Sequence, residues 1–220
     1  MFSQILKERC IILVLFLVIC SIPSLTFADV DKSVKKDGKD AEHYFNLGIA
    51  KGKSGKYQEA VDAYKQAVMI KPDYEDAHYN LGVTYGKLGK IQEAADAYKQ
   101  AIRIKPNFAA SHYNLGHVYR KLGKNQEALG AFKQAIKIRP DLAIAYENLG
   151  ATYLVLGKKK EAIDAYKQAI RVKPDLASAH FSLGVTYLII KDKGSARDQF
   201  EILKDLDKEK ANKLFKLINP

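Results

Sequence analysis

Cysteine is scarce in this 220-residue chain, since only Cys10 and Cys20 are present and both lie in an apolar N-terminal stretch. The residues after Cys20 therefore offer no disulfide and no cysteine-based metal site. The common catalytic patterns are missing too: there is no GxSxG, no P-loop, no HExxH and no glycine-rich dinucleotide turn. From these absences we predict that the protein is not an enzyme and binds no cofactor.

The apolar run CIILVLFLVIC is shorter than the roughly 20 residues that cross a bilayer. It follows the charged residues Lys7, Glu8 and Arg9 and precedes SIPSLTFA. A charged start, a short apolar core and small residues before a cut are the order of a secretory signal. We predict a signal peptide at residues 1–28, cleaved before Asp29, with an uncleaved N-terminal membrane anchor as the alternative.

Either arrangement places the rest of the chain outside the cytoplasm of a bacterial cell, as a periplasmic or secreted protein. A lipid anchor is a third option, but Ile19 precedes Cys20 where a lipobox requires a small residue. Residues 29–40, DVDKSVKKDGKD, are charged and have almost no apolar content, so we expect a flexible linker there.

Basic residues outnumber acidic ones by 36 to 25, a net charge of +11. Removing residues 1–28 leaves 34 basic and 24 acidic residues, so the remainder has a charge of +10. Such an excess favours an acidic peptide, an anionic surface or nucleic acid as a partner. We expect no nucleic-acid partner, because the protein is predicted to be exported.

The segment EDAHYNLGVTYGKLGKIQEAADAYKQAIRIKPNF sets the pattern of the chain. Related copies follow one another with a period of 34 residues, at 41–74, 75–108, 109–142, 143–176 and 177–210. Each copy has two runs of apolar and small residues at helical spacing. Gly89 suits the left-handed end of a first helix, Pro106 ends a second helix, and Asn107 is a suitable N-cap for the next.

These copies resemble the tetratricopeptide repeat family. Its framework residues are, in the second copy, Leu81, Gly82, Tyr85, Ala94, Tyr98, Ala101 and Pro106. The resemblance implies an all-α fold, a right-handed superhelix (α-solenoid) of helix–turn–helix repeats without a central core. The second-helix aromatics, which should fill the space beside the small residues, are Tyr64, Tyr98, Phe132, Tyr166 and Phe200.

The end copies depart from this pattern. In the first copy Lys51 replaces the tyrosine and glycines follow, so we expect its first helix to fray. The fifth copy has Lys208 in place of the proline, which should end the array. We predict a capping helix that begins near residue 207 and includes residues 211–220. Its apolar stripe comprises Ala211, Leu214, Phe215 and Ile218.

Three histidines, His78, His112 and His180, occupy the fourth position of different copies. Successive repeats lie roughly 10 Å apart, whereas metal ligands converge within about 2 Å of one ion. We therefore expect these histidines to pack within the fold, and we predict no metal site.

In the family, the first helix of each repeat lines a concave groove. The resemblance therefore implies peptide-binding residues at Phe45, Asn46, Lys53, Tyr79, Asn80, Val83, Lys87, Tyr113, Asn114, His117, Lys121 and Asn148. This groove would be aromatic, amide-rich and basic in repeats 1–3. It would be more apolar in repeats 4–5, where Val155 and Ile189 replace the lysines.

The repeated asparagines have two interpretations. An asparagine amide offers a donor and an acceptor, so one per repeat would grip about every third residue of an extended peptide. A similar asparagine ladder occurs in the repeat superhelix of nucleocytoplasmic glycosyltransferases. Alternatively, the asparagines bond neighbouring helices. The carboxylate clamp of chaperone-binding family members is not matched beyond the asparagine itself.

The second helices carry further basic residues: Lys65, Lys99, Arg103, Lys133, Lys137, Lys167 and Arg171. Cations near helix C-termini are stabilised by the helix dipole, so solvated charge explains them. A membrane-surface contact is the alternative.

We expect a monomeric, exported scaffold that binds an extended or helical segment of a partner protein in its groove. One alternative is an envelope assembly factor that docks through its basic outer face. Another is an accessory repeat domain for a separately encoded glycosyltransferase. Membrane association would require an uncleaved N-terminus.

Overall fold

A computed structural model of the chain describes residues 40–220. The predicted signal peptide and all of the predicted linker except Asp40 lie outside these residues. Residues 40–220 form α-helices and contain no strand. The helices are α1 Ala41–Lys53, α2 Tyr57–Ile70, α3 Glu75–Lys87, α4 Ile91–Ile104, α5 Ala109–Lys121, α6 Asn125–Ile138, α7 Ala143–Val155, α8 Lys159–Val172, α9 Ala177–Ile189, α10 Lys193–Leu206 and α11 Lys208–Ile218.

Helices α1 to α10 form five pairs, one in each 34-residue copy, and each helix packs on the next along the chain. The fold is the predicted all-α solenoid. The prediction that α1 frays is wrong, because α1 is 13 residues long, the same length as α3. Lys51 Nζ lies 2.6 Å from Glu59 Oε2, so an ion pair between α1 and α2 stands at the position of the missing tyrosine.

The turn inside each of the first four pairs is built on a glycine, whereas the fifth has Lys191 at a φ of +65°. Gly89 has a φ of +73°, which costs a residue without a Cβ little. Its N–H donates to Gly86 O at 3.3 Å, and the N–H of Lys90 donates to Tyr85 O at 2.9 Å. These two bonds satisfy carbonyls at the end of α3 in the Schellman arrangement. The prediction for Gly89 is confirmed.

The connection between pairs differs from the prediction. Asn107 is not the N-cap of α5, because that position is held by Phe108, which makes no side-chain capping bond. The Phe108 ring instead packs on Tyr79, with centroids 5.0 Å apart. A packed apolar side chain thus holds the N-cap position of α5, as Leu142 and Leu176 do for α7 and α9.

The repeated histidines fasten this connection to the helix that follows it. Nε2 of His112 donates to the carbonyl oxygen of Pro106 at 2.9 Å. His78 and His180 make the same bond to Pro72 and Pro174, at 3.0 and 2.9 Å. The histidines therefore act as packing residues within the fold.

A close contact between a glycine and a ring forms the core of each of the first four pairs. A Cβ added to Gly48, Gly82, Gly116 or Gly150 would lie 2.5 to 2.8 Å from the ring of Tyr64, Tyr98, Phe132 or Tyr166. These four aromatic side chains are buried. The sequence prediction for them is therefore confirmed.

The fifth pair is packed differently. A Cβ on Gly184 would lie 2.6 Å from Leu214 of α11, so the capping helix occupies the site that a ring fills in the other repeats. Phe200 is only partly buried and lies against Phe215, with centroids 5.4 Å apart. The expectation that Phe200 fills the core is therefore wrong.

The capping helix α11 has a narrower buried stripe than predicted. Ala211, Leu214 and Ile218 are buried, but Phe215 is 50% exposed. The exposed surface of α11 therefore carries apolar area as well as lysines. Because Leu214 takes the core position, Phe215 is directed to the surface.

Candidate functional site

Two cavities lie side by side where α1, α3 and α5 succeed one another. The first, of about 280 Å³, lies between repeats 1 and 2 and is lined by Ile49, Gly52, Lys53, Tyr57, Tyr64, Asn80, Val83, Thr84 and Lys87. The second, of about 260 Å³, lies between repeats 2 and 3 and is lined by Val83, Gly86, Lys87, Ile91, Tyr98, Asn114, His117, Val118 and Lys121. We call this surface the repeat groove.

The two cavities are related by the sequence period. Lys53 and Lys87 flank the first, and Lys87 and Lys121 flank the second. Val83 and Lys87 line both cavities, so α3 forms the wall between them. The predicted residues Lys53, Asn80, Val83, Lys87, Asn114, His117 and Lys121 thus lie together on this surface.

The predicted aromatic residues form part of the framework beneath the groove. Phe45 packs on Tyr64 and Tyr74, with centroids 5.9 and 4.9 Å apart. Tyr79 packs on Tyr98 and Phe108 in the same way, at 5.9 and 5.0 Å. The rings of Phe45 and Tyr79 are therefore each in contact with two neighbouring rings.

Tyr113 is the third of these aromatics. Its ring centroid lies 5.9 Å from that of Phe132 and 4.7 Å from that of His117. Burial, with a smaller contribution from Glu147, raises the pKa of its hydroxyl. The group therefore stays protonated and is available for hydrogen bonding at neutral pH.

Two of the asparagines bond neighbouring helices. Asn114 Nδ2 donates to Tyr79 OH at 3.2 Å, across the boundary between repeats 2 and 3. Asn148 Nδ2 lies 3.4 Å from Tyr113 OH and 2.8 Å from Ile144 O. These contacts support the structural interpretation of both asparagines.

Asn80 is in a different situation. The corresponding aromatic in repeat 1 is Phe45, which has no hydroxyl to accept a hydrogen bond. Within residues 40–220, the Asn80 amide has no side-chain partner, and it lines the first cavity. Asn46 is exposed at the same position of repeat 1. Asn80 is thus the asparagine best placed to bind a peptide backbone.

A polar cluster lies where repeat 3 meets repeat 4. Arg120 Nη1 donates to Asn148 Oδ1 at 2.9 Å, so both the oxygen and the nitrogen of this amide have partners within the fold. Glu147 replaces the aromatic found in earlier repeats and accepts a bond from Ser178 Oγ at 2.9 Å. The pKa of the nearby Tyr166 is raised to about 12, mainly by burial and to a smaller extent by the charge of Glu147.

Beyond this cluster, the thirteenth position of each repeat, which is lysine in repeats 1–3, is apolar. Val155 is 63% exposed and Ile189 is 45% exposed, where repeats 1–3 have lysines. The change of character along the groove was readable from the sequence.

His117 lies within the second cavity. Its ring meets Tyr113 and Phe132 edge to face, at 4.7 and 5.5 Å. Burial lowers its pKa, and the charges of Arg120 and Lys121 lower it further. His117 is therefore neutral at pH 7, and the positive charge of this cavity comes from the lysines.

The outer face carries basic residues that are partly paired. Lys99 Nζ lies 3.4 Å from Asp96 Oδ1, and Lys133 Nζ stands over the Tyr153 ring at 5.6 Å. Arg103 Nε donates to Gln100 Oε1 at 2.9 Å. Lys99 and Arg103 are thus held by contacts within α4, whereas Lys133 of α6 contacts a ring of α7.

Sequence reasoning missed several cavity residues. Ile49, Tyr57 and Ile91 contribute apolar walls. Gly52 and Gly86 leave open space at a position where repeat 3 has Arg120. The recurrence of glycine at the twelfth position of repeats 1 and 2 was the available signal.

Within 40–220, no three His, Cys, Asp or Glu side chains converge in a way that could hold a metal ion. No helix of this part of the chain combines the length and apolar character needed to span a membrane. A cavity of about 340 Å³ between α10 and α11 is lined by Arg197, Phe200, Glu201, Phe215, Ile218 and Asn219.

Comparison with solved structures finds several of the same fold. A crystal structure of MamA is 28% identical with a TM-score of 0.72, and the match covers 76% of this chain and 97% of that one. MamA from Desulfovibrio magneticus RS-1 is 23% identical with a TM-score of 0.72, over 77% and 96% of the two chains. YrrB, a TPR protein with an unusual peptide-binding site, is 22% identical with a TM-score of 0.70, over 87% and 100%. The last two likenesses concern the fold alone.

A comparison with curated protein sequences finds no significant match. Family models, in contrast, match most of the described residues. One described as a TPR repeat matches residues 52–89 and 87–123, and two described as tetratricopeptide repeats match residues 107–175 and 148–211. Together with the helix pairs and their glycine–ring contacts, these matches show that the chain belongs to the tetratricopeptide repeat family.

Proposed function

We propose that this protein is a non-enzymatic scaffold that binds an extended segment of a partner protein in the repeat groove. The observation that carries the proposal is the pair of adjoining cavities that share Val83 and Lys87. An extended chain rises about 3.3 Å per residue, so three residues span one repeat of roughly 10 Å. A single strand of partner could therefore place one side chain in each cavity.

The groups in the groove suit such a segment. Ile49, Val83 and Ile91 offer apolar walls, and the Asn80 amide can bond a backbone N–H or C=O. Asn114 and Asn148 are held by tyrosine hydroxyls and act in our proposal by fixing the spacing of the repeats. The likeness to YrrB, itself described as having a peptide-binding site, is consistent with this role.

A selection experiment tests the groove. Displayed random 15-residue peptides would be selected on the full chain, and the affinity of an enriched peptide would then be measured by fluorescence anisotropy. Val83→Phe adds volume to the wall shared by both cavities and should weaken binding at least tenfold. Gln100→Phe, an equally large change at an exposed position on α4, should leave the affinity unchanged.

Equal binding by wild type and Val83→Phe would contradict the groove proposal. Loss of binding in Gln100→Phe alone would move the site to the outer face and favour the alternative of docking through that face. Circular dichroism on both variants separates lost binding from lost folding.

Export is a second part of the proposal, supported by the order of charged, apolar and small residues in 1–28. The scaffold would then act in the periplasm or outside the cell. Mass spectrometry of the protein from its own cells should give a chain that begins at Asp29. A chain that retains residues 1–28 in the membrane fraction would support the anchored alternative instead.

A further inference from the structure

We infer that the repeat groove selects an acidic segment, with carboxylates at about every third residue set against Lys53, Lys87 and Lys121. This inference rests on the proposed function and names the chemistry of the partner. The three lysines, which we call the basic edge, are exposed and stand at the same position of successive repeats. Within residues 40–220, none of them has an ion pair or a side-chain hydrogen bond.

The spacing of the basic edge matches an extended chain. Successive repeats are roughly 10 Å apart, and three residues of extended chain rise by about the same distance. Each cavity is flanked by two of these lysines, and none of the residues lining either cavity is acidic. A segment that placed side chains in the cavities would therefore place others beside the lysines.

The acidic residues of the same helices lie too far away to neutralise this edge. Glu42 and Asp76 are 11 residues before Lys53 and Lys87. At a rise of 1.5 Å per residue, that separation is about 16 Å along each helix. The acidic and basic ends of the groove are thus distinct surfaces.

The helix dipole does not account for the basic edge. A cation in the last turn of a helix is favourable, and α3 and α5 end in this way. Yet α7 and α9 have the same length and no basic residue in the last turn, where they carry Val155 and Ile189. Since these helices form without the cation, the lysines of repeats 1–3 are available for another role.

The apolar residues that follow define the other half of the segment. Val155 and Ile189 are exposed at the position that the lysines hold in repeats 1–3. The inferred partner segment therefore carries spaced carboxylates beside repeats 1–3 and apolar side chains beside repeats 4–5.

Three synthetic peptides test the inference, each N-acetylated, C-amidated and fluorescently labelled. The spaced peptide has aspartates at every third residue, then valine and leucine at the same spacing, with serine and threonine between. The grouped peptide has the same composition with adjacent aspartates, and the neutral peptide has asparagine for aspartate. Binding to the full chain, in nonionic detergent at low salt, would be measured by anisotropy.

We expect the spaced peptide to bind about tenfold more tightly than the neutral one and more tightly than the grouped one, since exposed ion pairs contribute modestly and three act together. The preference should shrink as salt screens the charges. Replacing Lys53, Lys87 and Lys121 together with Gln should abolish it. Replacing Lys65, Lys137 and Lys167 with Gln, which removes the same charge from α2, α6 and α8, should preserve it.

Equal affinity for the three peptides, or no binding of the spaced peptide, would overturn the inference. Loss of the preference in the Lys65, Lys137 and Lys167 variant would overturn it as well, because the charge would then act from another face. If all three peptides bind equally and Val83→Phe weakens all of them, the groove proposal stands and only the acidic selectivity fails.

Discussion

Ser111 has the one buried side-chain oxygen or nitrogen in residues 40–220 that lacks a hydrogen-bond partner. It lies at the third position of repeat 3, where repeats 2, 4 and 5 have alanine. A buried hydroxyl loses its bonds to water and here gains nothing in return. The site is therefore a local weakness in an otherwise satisfied core.

We predict that Ser111→Ala raises the free energy of unfolding by about 1 kcal/mol. The matched change Ala145→Ser, at the same buried position of repeat 4, should lower it by a similar amount. Urea denaturation followed by circular dichroism measures both. A Ser111→Ala variant that is less stable than wild type would show that the hydroxyl stabilises the folded state.

His117 should make stability depend on pH. Burial lowers the pKa of His117 below its usual 6.5, so the unfolded chain takes up a proton at a higher pH than the folded one. The contribution of this group is complete above pH 6.5 and is lost as the pH falls through 6.5 toward the folded-state pKa. Stability should thus decline on acidification.

We expect His117→Gln to remove this component, so that wild type loses more stability than the variant between pH 8 and pH 5. Urea unfolding at both pH values gives the stability loss of each protein. The contributions of the other titrating groups cancel when the two losses are subtracted. Identical pH dependence in the two proteins would mean that the imidazole is as accessible in the folded state as in the unfolded one.

At the scale of a helix, α3 contains two glycines with opposite roles. A Cβ on Gly82 would lie 2.6 Å from the buried Tyr98 ring, whereas a Cβ on Gly86 would meet nothing within 4 Å. Gly82 sets the distance between α3 and α4. Gly86 weakens the helix without serving its packing.

We predict that Gly82→Ala costs about 1–3 kcal/mol through overpacking. Gly86→Ala should instead stabilise by about 1 kcal/mol, the difference in helix propensity between the two residues. Thermal and urea unfolding of the two variants would be compared. Similar effects of both substitutions would contradict the close packing of α3 on α4.

The capping helix α11 depends on one side chain more than on its neighbour. Leu214 is fully buried against Gly184, and Phe215 is 50% exposed. Leu214→Ala should therefore cost about 2–5 kcal/mol by leaving a cavity. Phe215→Ala should cost less, about 1 kcal/mol, because half of its side chain is exposed. Hydrogen exchange of α9 and α10 would report the loosening, and equal protection in both variants would refute this packing.

At the scale of the whole molecule, the sequence was most informative where structure depends on local pattern. The 34-residue period located every helix pair in residues 40–220, and the glycines of the first four turns and the first four aromatics behaved as expected. These features recur because each repeat meets the same neighbours. The period also placed the lysines and Asn80 on one surface.

Prediction failed where a competing contact decides the outcome. Phe108, rather than Asn107, is the N-cap residue of α5, and its ring packs on Tyr79. Phe200 leaves the core because Leu214, from a helix with no counterpart in the other repeats, occupies its place. Such competition between distant residues is not encoded in local spacing.

The asparagines show the same limit within the candidate site. Their position was evident, but their use depends on the residue one repeat earlier. Tyr79 and Tyr113 supply hydroxyls to Asn114 and Asn148, whereas Phe45 cannot supply one to Asn80. Only the three-dimensional pairing separates asparagines that bond neighbouring helices from the one that has no such partner.

In our proposal, a partner segment lies in the repeat groove. A photo-cross-linking residue would be placed at Lys87, which lines both cavities, and separately at Lys99, which is exposed on α4. After irradiation of cells that produce the protein, we expect a cross-linked partner from position 87 and none from position 99. Cross-links from position 99 with none from position 87 would contradict it.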